Sequence, residues 1–262
     1  MKQLNFFIDI DGTLIGGRHK KPSDRVVSAI LKAKEGGCRF FINTARPHWL
    51  VPEDIFSPEI FDGICSGCGT YIFYKGKGIY QNFLSDEVVK QTVTELDKTF
   101  PPDFSMLIEC YDTNYYYGAF IPWYLEAGFK KLDRIDDIGT VLKNINTQKL
   151  SFNKLSGEFK YEMFDGVKDK FDVMIHPSYA EIAPKGFNKG AALEITEREL
   201  SLPHNSTVAI GDSLNDADMF RTAAISVAMG NAPDKVKALC DYVTDTCEND
   251  GVARAIEMLT KE

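Results

Sequence analysis

No apolar run in the 262-residue sequence approaches the roughly 18 residues that a membrane-spanning helix needs. The longest early run, Leu4-Asn5-Phe6-Phe7-Ile8, stops at Asp9 rather than at a small-residue cleavage site, so no secretory leader is expected. Those two absences set the expectation of a cytoplasmic protein with no membrane partner. Basic runs are also scarce: the longest is His19-Lys20-Lys21, against a formal net charge of −8. A general nucleic-acid binder carries a basic stripe, so that class is excluded, and no segment marks an obligate protein partner. The six cysteines do not form a metal framework. Cys65-Ser66-Gly67-Cys68 has C-x-x-C spacing, but zinc needs a second ligand pair. The pair also leads into the strand-like Tyr71-Ile72-Phe73-Tyr74 rather than into a helix, so the expectation is two packing thiols. Cys38 and Cys110 sit in apolar strand-like runs, where a free thiol behaves as a small hydrophobe. Repeats and low-complexity tracts are lacking too.

What is present is an ordinary globular composition, 44% hydrophobic, with enough chain for one large domain or two modest ones. The first segment alternates strand and helix. Strands are expected over residues 4–10, 38–43 and 61–65, a helix over 23–37 and a broken helix over 49–56. A hairpin is expected around Lys75-Gly76-Lys77-Gly78. The middle reads differently: a helix over 85–100, strands at 104–110 and 115–121, a helix over 135–145, a strand over 149–155, a helix over 158–166, and strands near 171–175 and 179–182. That pattern describes an α+β module. Alternation then returns, with helices over 188–199, 215–222, 233–238 and 251–260 and strands at 207–210, 225–228 and 242–243. We therefore expect an α/β domain built from residues 1–83 and 184–262, with a second domain, residues 84–183, inserted into it.

Three of the expected parallel strands end in polar residues: Asp9 after Phe6-Phe7-Ile8, Thr44 after Phe40-Phe41-Ile42-Asn43, and Asp212 after Val208-Ala209-Ile210-Gly211. In open α/β sheets ligands sit beyond the carboxyl ends of the strands. Asn215 and Asp216 follow closely, and Lys189 opens another helix. Asp9 and Asp11 repel one another, which a bound cation would offset. Hard oxygen donors with few soft ones suit Mg²⁺. Lys189, the Thr44 hydroxyl and the backbone N–H groups near Gly12 and Ala45 suit a phosphate. Asp9, held at a strand end, suits a nucleophile. Asp11, beside Gly12, suits an acid that protonates the leaving oxygen and then activates water.

Asp9-Ile10-Asp11-Gly12-Thr13-Leu14, Thr44-Ala45-Arg46-Pro47, Lys189-Gly190 and Gly211-Asp212-Ser213-Leu214-Asn215-Asp216 together resemble the four motifs of the haloacid dehalogenase (HAD) superfamily of phosphohydrolases. Motif order, the place of the insert and Met229-Gly230-Asn231-Ala232 resemble its Cof-type branch. The resemblance covers most of both end segments and little of the insert. It implies a Rossmann-like parallel-sheet core with an inserted α+β cap, Mg²⁺ and an aspartyl-phosphate intermediate. It assigns Asp9 as nucleophile, Asp11 as general acid/base, and Thr44 and Lys189 as phosphate binders. Mg²⁺ would be held by Asp9, the backbone carbonyl of Asp11 and Asp212, with Asp216 as a further ligand or acting through water; Asn215 would bond near the phosphate. Two departures stand out. Thr44-Ala45-Arg46 replaces the usual Thr-Gly-Arg, and Cys68-Gly69-Thr70 stands where Asn-Gly-Ala is common.

The insert is rich in aromatics: Tyr111, Tyr115, Tyr116, Tyr117, Phe120, Trp123 and Tyr124. They read as sheet packing or as a stacking platform for a sugar or base. Glu181, His176 and Lys185 are candidate substrate contacts; His176 and His48 read equally as surface or hinge residues. Arg46 is open to two readings, a substrate contact or a pair with a core acid. The expected activity is hydrolysis of a small phosphorylated metabolite, a sugar phosphate or a vitamin-like phosphate. The alternatives are a phosphosugar mutase and a phospho-accepting signalling domain.

Overall fold

The computed structural model describes residues 2–17, 19–100, 104–119, 132–136, 145–154, 158–175 and 179–261. The chain divides into two compact units. The first comprises Met1–Ala45, Val51–Gln81 and Asn188–Glu262; the second comprises Arg46–Leu50 and Asn82–Phe187.

The first unit carries an eight-stranded sheet. Its strands are β1 (Asn5–Ile8), β2 (Arg39–Asn43), β3 (Gly63–Ser66), β4 (Tyr71–Tyr74) and β5 (Lys77–Gln81), joined by β12 (Thr207–Gly211), β13 (Ile225–Ala228) and β14 (Tyr242–Val243). The order is β14-β13-β12-β1-β2-β3-β4-β5. Pairings from β14 to β3 are parallel; β4 and β5 form an antiparallel hairpin at one edge. A strand covered on both faces is apolar throughout, and β1 is buried at all four positions. Phe6 stacks on Phe40 at 4.7 Å and Phe7 on Phe41 at 5.0 Å. Neighbouring strand residues point to opposite faces, so these two stacks cover both sides of the β1–β2 pair.

Helix α1 (Asp24–Glu35) begins where the Ser23 side chain accepts from the Val26 amide, and it ends at Gly36. Its apolar stripe, Val26, Ala29, Ile30 and Ala33, is buried in the same cluster as Val252, Ala255 and Ile256. The last three belong to α6 (Gly251–Thr260), which follows α3 (Lys189–Leu200), α4 (Ala217–Thr222) and α5 (Asp234–Lys237). The expected α/β architecture is therefore the one observed.

The second unit pairs α2 (Asp86–Asp97) with a six-stranded sheet of order β10-β11-β9-β6-β7-β8. Its strands are β6 (Phe104–Cys110), β7 (Asn114–Gly118), β8 (Leu132–Arg134), β9 (Thr147–Lys154), β10 (Phe171–Ile175) and β11 (Tyr179–Pro184). One face packs Met106, Ile108, Leu150, Phe152 and Ile182 against Val89, Val93 and Leu96 of α2. Alternate residues of the same strands face the other way. There Leu107 meets Trp49, Leu50 and Tyr116, and Glu109, Lys149, Ser151 and Glu181 are buried.

Several expectations need correction. Residues 46–50 are expected in the first domain, yet they pack within the second unit. The Trp49 indole donates to Asn114 Oδ1 at 3.0 Å, the His48 amide to Gln148 Oε1 at 3.0 Å, and the His48 ring stacks on Tyr111 at 5.0 Å. His48 is thus a packed residue of that unit. No helix forms over 49–56; a 3₁₀ turn, His48–Leu50, precedes Pro52, whose ring cannot continue a helix. Over 158–166 there is only the 3₁₀ turn Tyr161–Phe164. The helix expected from residue 215 begins at Ala217, after the 3₁₀ turn Leu214–Asp216. Tyr115 and Tyr117 pack against the second unit's core, as sheet packing would have it. Most of the 135–145 helix, and Phe120, Trp123, Tyr124 and His176, lie outside the described residues. Cys65 and Cys68 are buried thiols, neither of them in a disulfide. Burial pushes the Cys65 thiol up to about 12, against a contact with Thr196. Among the described residues, no helix is long and apolar enough to cross a membrane.

Candidate active site

Because β12, β1 and β2 lie side by side and parallel, their carboxyl ends share one edge of the sheet. Asp9 leaves β1 there, held by its amide on the Ile210 carbonyl at 3.0 Å. Asp212 follows β12 and Thr44 follows β2. Lys189 begins α3, whose N-cap Asn188 accepts from the Ala191 amide at 2.9 Å.

The Lys189 ammonium sits between acids: 2.6 Å from Asp9 Oδ1, 2.6 Å from Asp216 Oδ1 and 3.0 Å from Asn215 Oδ1. Those three acceptors match the three N–H donors of a lysine. Lys189, Asp9 and Asp216 are all buried. Burial pulls the lysine's pKa down, but Asp216 and Asp9 outweigh it, so the ammonium is held above its ordinary range. Asp9 moves the other way from a typical paired acid. Burial lifts it to about 8, against the pull of Lys189, with Asp216 and then Asp11 adding to the rise. Asp212 is lifted to about 6, first by burial and then by Asp216, against Lys189 and Thr13.

Asp216 is fully buried and uses both oxygens. Oδ1 accepts from Lys189, and Oδ2 accepts from the Asp212 and Ser213 amides, each at 3.0 Å. It therefore fixes the turn that carries Asp212. Asn215 Oδ1 also accepts from the Ser213 hydroxyl at 2.8 Å. Gly12 has φ +84°, and a Cβ there would lie 2.2 Å from Asp212 Oδ2. Only glycine lets the loop after Asp11 approach that carboxylate.

Oxygens of Asp9, Asp212 and Asp216 all lie within 4.8 Å of one another. All three carry hard carboxylate donors, with one ammonium between them, and excess negative charge remains when the acids ionise. That donor set fits Mg²⁺. Asp11 is exposed and its carboxylate is not in this group. Thr44 is buried at the end of β2, its amide on the Cys65 carbonyl at 2.9 Å.

Two expected site residues, Arg46 and Glu181, lie in the second unit. Arg46 donates to the Leu50 carbonyl at 3.3 Å, although Ala45, its neighbour in the chain, closes a segment of the first unit. Glu181 is buried and ion-paired with Lys149, in a cluster with Glu109 and Ser151. Lys185 is exposed and pairs with Asp172 at 3.1 Å. Three residues of the first unit to which the sequence assigns no role also bear on the site. Thr13 donates to Asp212 Oδ1 at 3.3 Å, Asn231 donates to the Gly12 carbonyl at 2.9 Å, and Asn43 donates to the Lys189 carbonyl at 2.8 Å. Asn231 carried a signal, its place in Met229-Gly230-Asn231-Ala232. Asn43 carried only the oddity of an amide ending an apolar strand.

An acid at the end of a central parallel strand, held against a lysine ammonium from a later helix, makes a charged pocket at the carboxyl edge of an α/β sheet, where ligands of such folds sit. The chain belongs to the haloacid dehalogenase-like hydrolases, whose family pattern matches residues 6–256. Phosphatase YwpJ of Bacillus subtilis is 26% identical over 286 aligned positions, covering 96% of this chain and 98% of that protein. The 5-amino-6-(5-phospho-D-ribitylamino)uracil phosphatase YitU of the same organism is 26% identical, covering 95% of each chain. The crystal structure of a haloacid dehalogenase-like hydrolase from Bacteroides thetaiotaomicron superposes with a TM-score of 0.83 at 25% identity, covering 98% of this chain and all of that one. This chain is an enzyme of that family, a phosphatase.

Proposed function

We propose that the enzyme is a Mg²⁺-dependent phosphohydrolase that cleaves small phosphate monoesters, sugar phosphates among them, through an aspartyl-phosphate. The observation that carries this reading is the Lys189 ammonium bridging Asp9 and Asp216 at 2.6 Å each, beside Asp212. Asp9 and Asp212 would hold the cation with the Asp11 carbonyl, and Asp216 would orient Asp212 from behind. Bound there, Mg²⁺ supplies positive charge to the phosphoryl oxygens and to the acids around them.

The chemistry of the chain's own residues then follows. An Asp9 oxygen attacks phosphorus while the bond from phosphorus to the ester oxygen breaks. Asp11 gives its proton to the leaving alcohol. The Asp11 carboxylate next takes a proton from water, the water oxygen attacks the acyl phosphate, and Asp9 is released with inorganic phosphate. Lys189 and the Thr44 hydroxyl would hold phosphoryl oxygens, with backbone N–H groups near Gly12 and Ala45. The 3.0 Å bond to Asn215 is the longest of the three from Lys189 and the one most readily exchanged for phosphate. The second unit would act as a cap that admits substrates and excludes water. That the relative YitU bears the name of a phosphatase for a phosphorylated ribityl compound supports a sugar-like phosphate carrier here.

The test is phosphate release from a panel of phosphate monoesters with Mg²⁺, beside Asp9→Asn and an EDTA control. Release that both abolish is the expected result. A folded protein that releases nothing but interconverts phosphosugars would be a mutase, and one inert to the whole panel would overturn the reading.

A further inference from the structure

The strand β2 reads Arg-Phe-Phe-Ile-Asn, and its last four residues are buried. An asparagine in that place is anomalous. Its side chain is fully buried, and among the described residues Oδ1 has no hydrogen-bond partner. An apolar residue of similar size would avoid the cost of an unmet carbonyl oxygen. The other end of the amide shows what is gained. Nδ2 lies 2.8 Å from the Lys189 carbonyl and 3.5 Å from Met219 Sδ. A backbone carbonyl only accepts, so the atom facing it must be the NH₂ group. This orientation leaves Oδ1 as the orphan, and no flip relieves it.

The bond joins the carboxyl end of β2 to the first residue of α3, across 146 positions of sequence. It fixes the backbone of the residue whose ammonium must reach Asp9, Asp216 and Asn215 together. We propose that Asn43 is a positioning residue for phosphoryl transfer, anchoring the Lys189 backbone so that its ammonium stays between Asp9 and Asp216. The inference rests on Lys189 belonging to the phosphoryl-transfer site, as proposed above. Asn43 itself touches neither substrate nor the reacting atoms in this account.

The experiment uses the full chain with saturating Mg²⁺ and p-nitrophenyl phosphate. Asn43→Leu keeps the branched side-chain shape and removes the donor; Asn43→Ala removes it without the overpacking that leucine's larger methyl groups risk. Lys189→Ala is the control. Displacing a catalytic group by 1 Å costs about 10²-fold, so a shift of some tenths of an ångström should lower kcat by about tenfold, with KM within about threefold of wild type. The melting temperature of Asn43→Leu should stay near wild type, because the orphaned oxygen is removed along with the bond. A purely structural asparagine would lower the melting temperature and leave kcat alone. A folded Asn43→Leu or Asn43→Ala with kcat within about twofold of wild type overturns the proposal, as does failure of both to fold, which would make Asn43 a folding residue. If Lys189→Ala stays active, it is the reading of the site that fails; if that control is inactive while Asn43→Leu is normal, only this inference falls.

Discussion

Replacing Lys189 with methionine tests the electrostatics of the site most directly. The substitution keeps an unbranched side chain and removes the charge. It leaves Asp9 and Asp216 buried without the ammonium that contacts each at 2.6 Å. Breaking a buried ion pair by deleting one partner costs roughly 3–5 kcal/mol. At about 2–4 °C per kcal/mol for a unit of this size, the metal-free melting temperature should fall by roughly 6–20 °C. The loss should depend on pH in a defined direction. Burial already lifts Asp9 to about 8 and Asp212 to about 6. An acid whose pKa is raised in the folded state binds its proton more tightly there than when unfolded. Its contribution is therefore fully present below the unfolded value and is lost as pH rises through the folded value. Without Lys189 those acids titrate higher still, so the deficit of the variant should be small at pH 5 and largest above pH 8. Mg²⁺ should restore part of it at the higher pH by supplying the missing charge. The assay is thermal unfolding of wild type and variant at both pH values, with EDTA and with excess Mg²⁺. A deficit that is absent, or equal at the two pH values, would refute the claim that buried carboxylate charge is what Lys189 offsets.

Further outcomes are expected on the same grounds. Mg²⁺ affinity measured by calorimetry should weaken as pH falls from 8 to 6, by about tenfold per pH unit for each proton that must leave, because Asp9 and Asp212 ligate only when ionised; affinity flat across that window would contradict the site. Gly12→Ala should weaken Mg²⁺ binding more than it lowers the melting temperature, since the new Cβ falls 2.2 Å from Asp212 Oδ2 while the φ strain itself costs only about 1–2 kcal/mol. In the second unit, Lys149→Met should destabilise by roughly 3–5 kcal/mol, because it strands the buried Glu181 and Glu109; denaturant unfolding would read this, and an unchanged midpoint would mean the pair is not desolvated. Trp49→Phe should cost about 1 kcal/mol through the lost bond to Asn114, with unfolding again the measurement.

How much of this was legible in advance varies by residue. The apolar stretches of β1, β2 and β12 and the polar residues that end them were readable, because a strand buried on both faces shows as an unbroken hydrophobic run. Helix α1 was readable through Ser23, its 3.6-residue stripe and Gly36-Gly37. The 49–56 and 158–166 segments misled, because their apolar residues sit at helical spacing while the backbone turns after one 3₁₀ turn. Glu181 was singled out as a carboxylate near the return to the core. Nothing near it in sequence announces Lys149 across the β9–β11 pairing, where the strand register brings Leu150 opposite Ile182 and so aligns their neighbours. Arg46 reads together with Thr44 through the motif Thr44-Ala45-Arg46-Pro47, yet the chain passes from one unit to the other between Ala45 and Arg46.

The kinds of group available, and the order in which they come, are written in the chain. Two aspartates follow a buried strand, a threonine another, a lysine opens a helix, and an aspartate turn follows a third strand. Those features are local, and local periodicity and capping are written in neighbouring residues. Which atoms meet is settled by the folded arrangement. Lys189 reaches Asp9 across 180 positions of sequence because β12 and β2 flank β1 and place their carboxyl ends on one edge. It decided that Asp216 turns inward to hold the Asp212 loop and that Asn43 spends its amide on the Lys189 backbone. The reason is physical: a buried charge or amide is tolerated only where a partner is packed against it, and packing is a property of the folded chain rather than of any stretch of it.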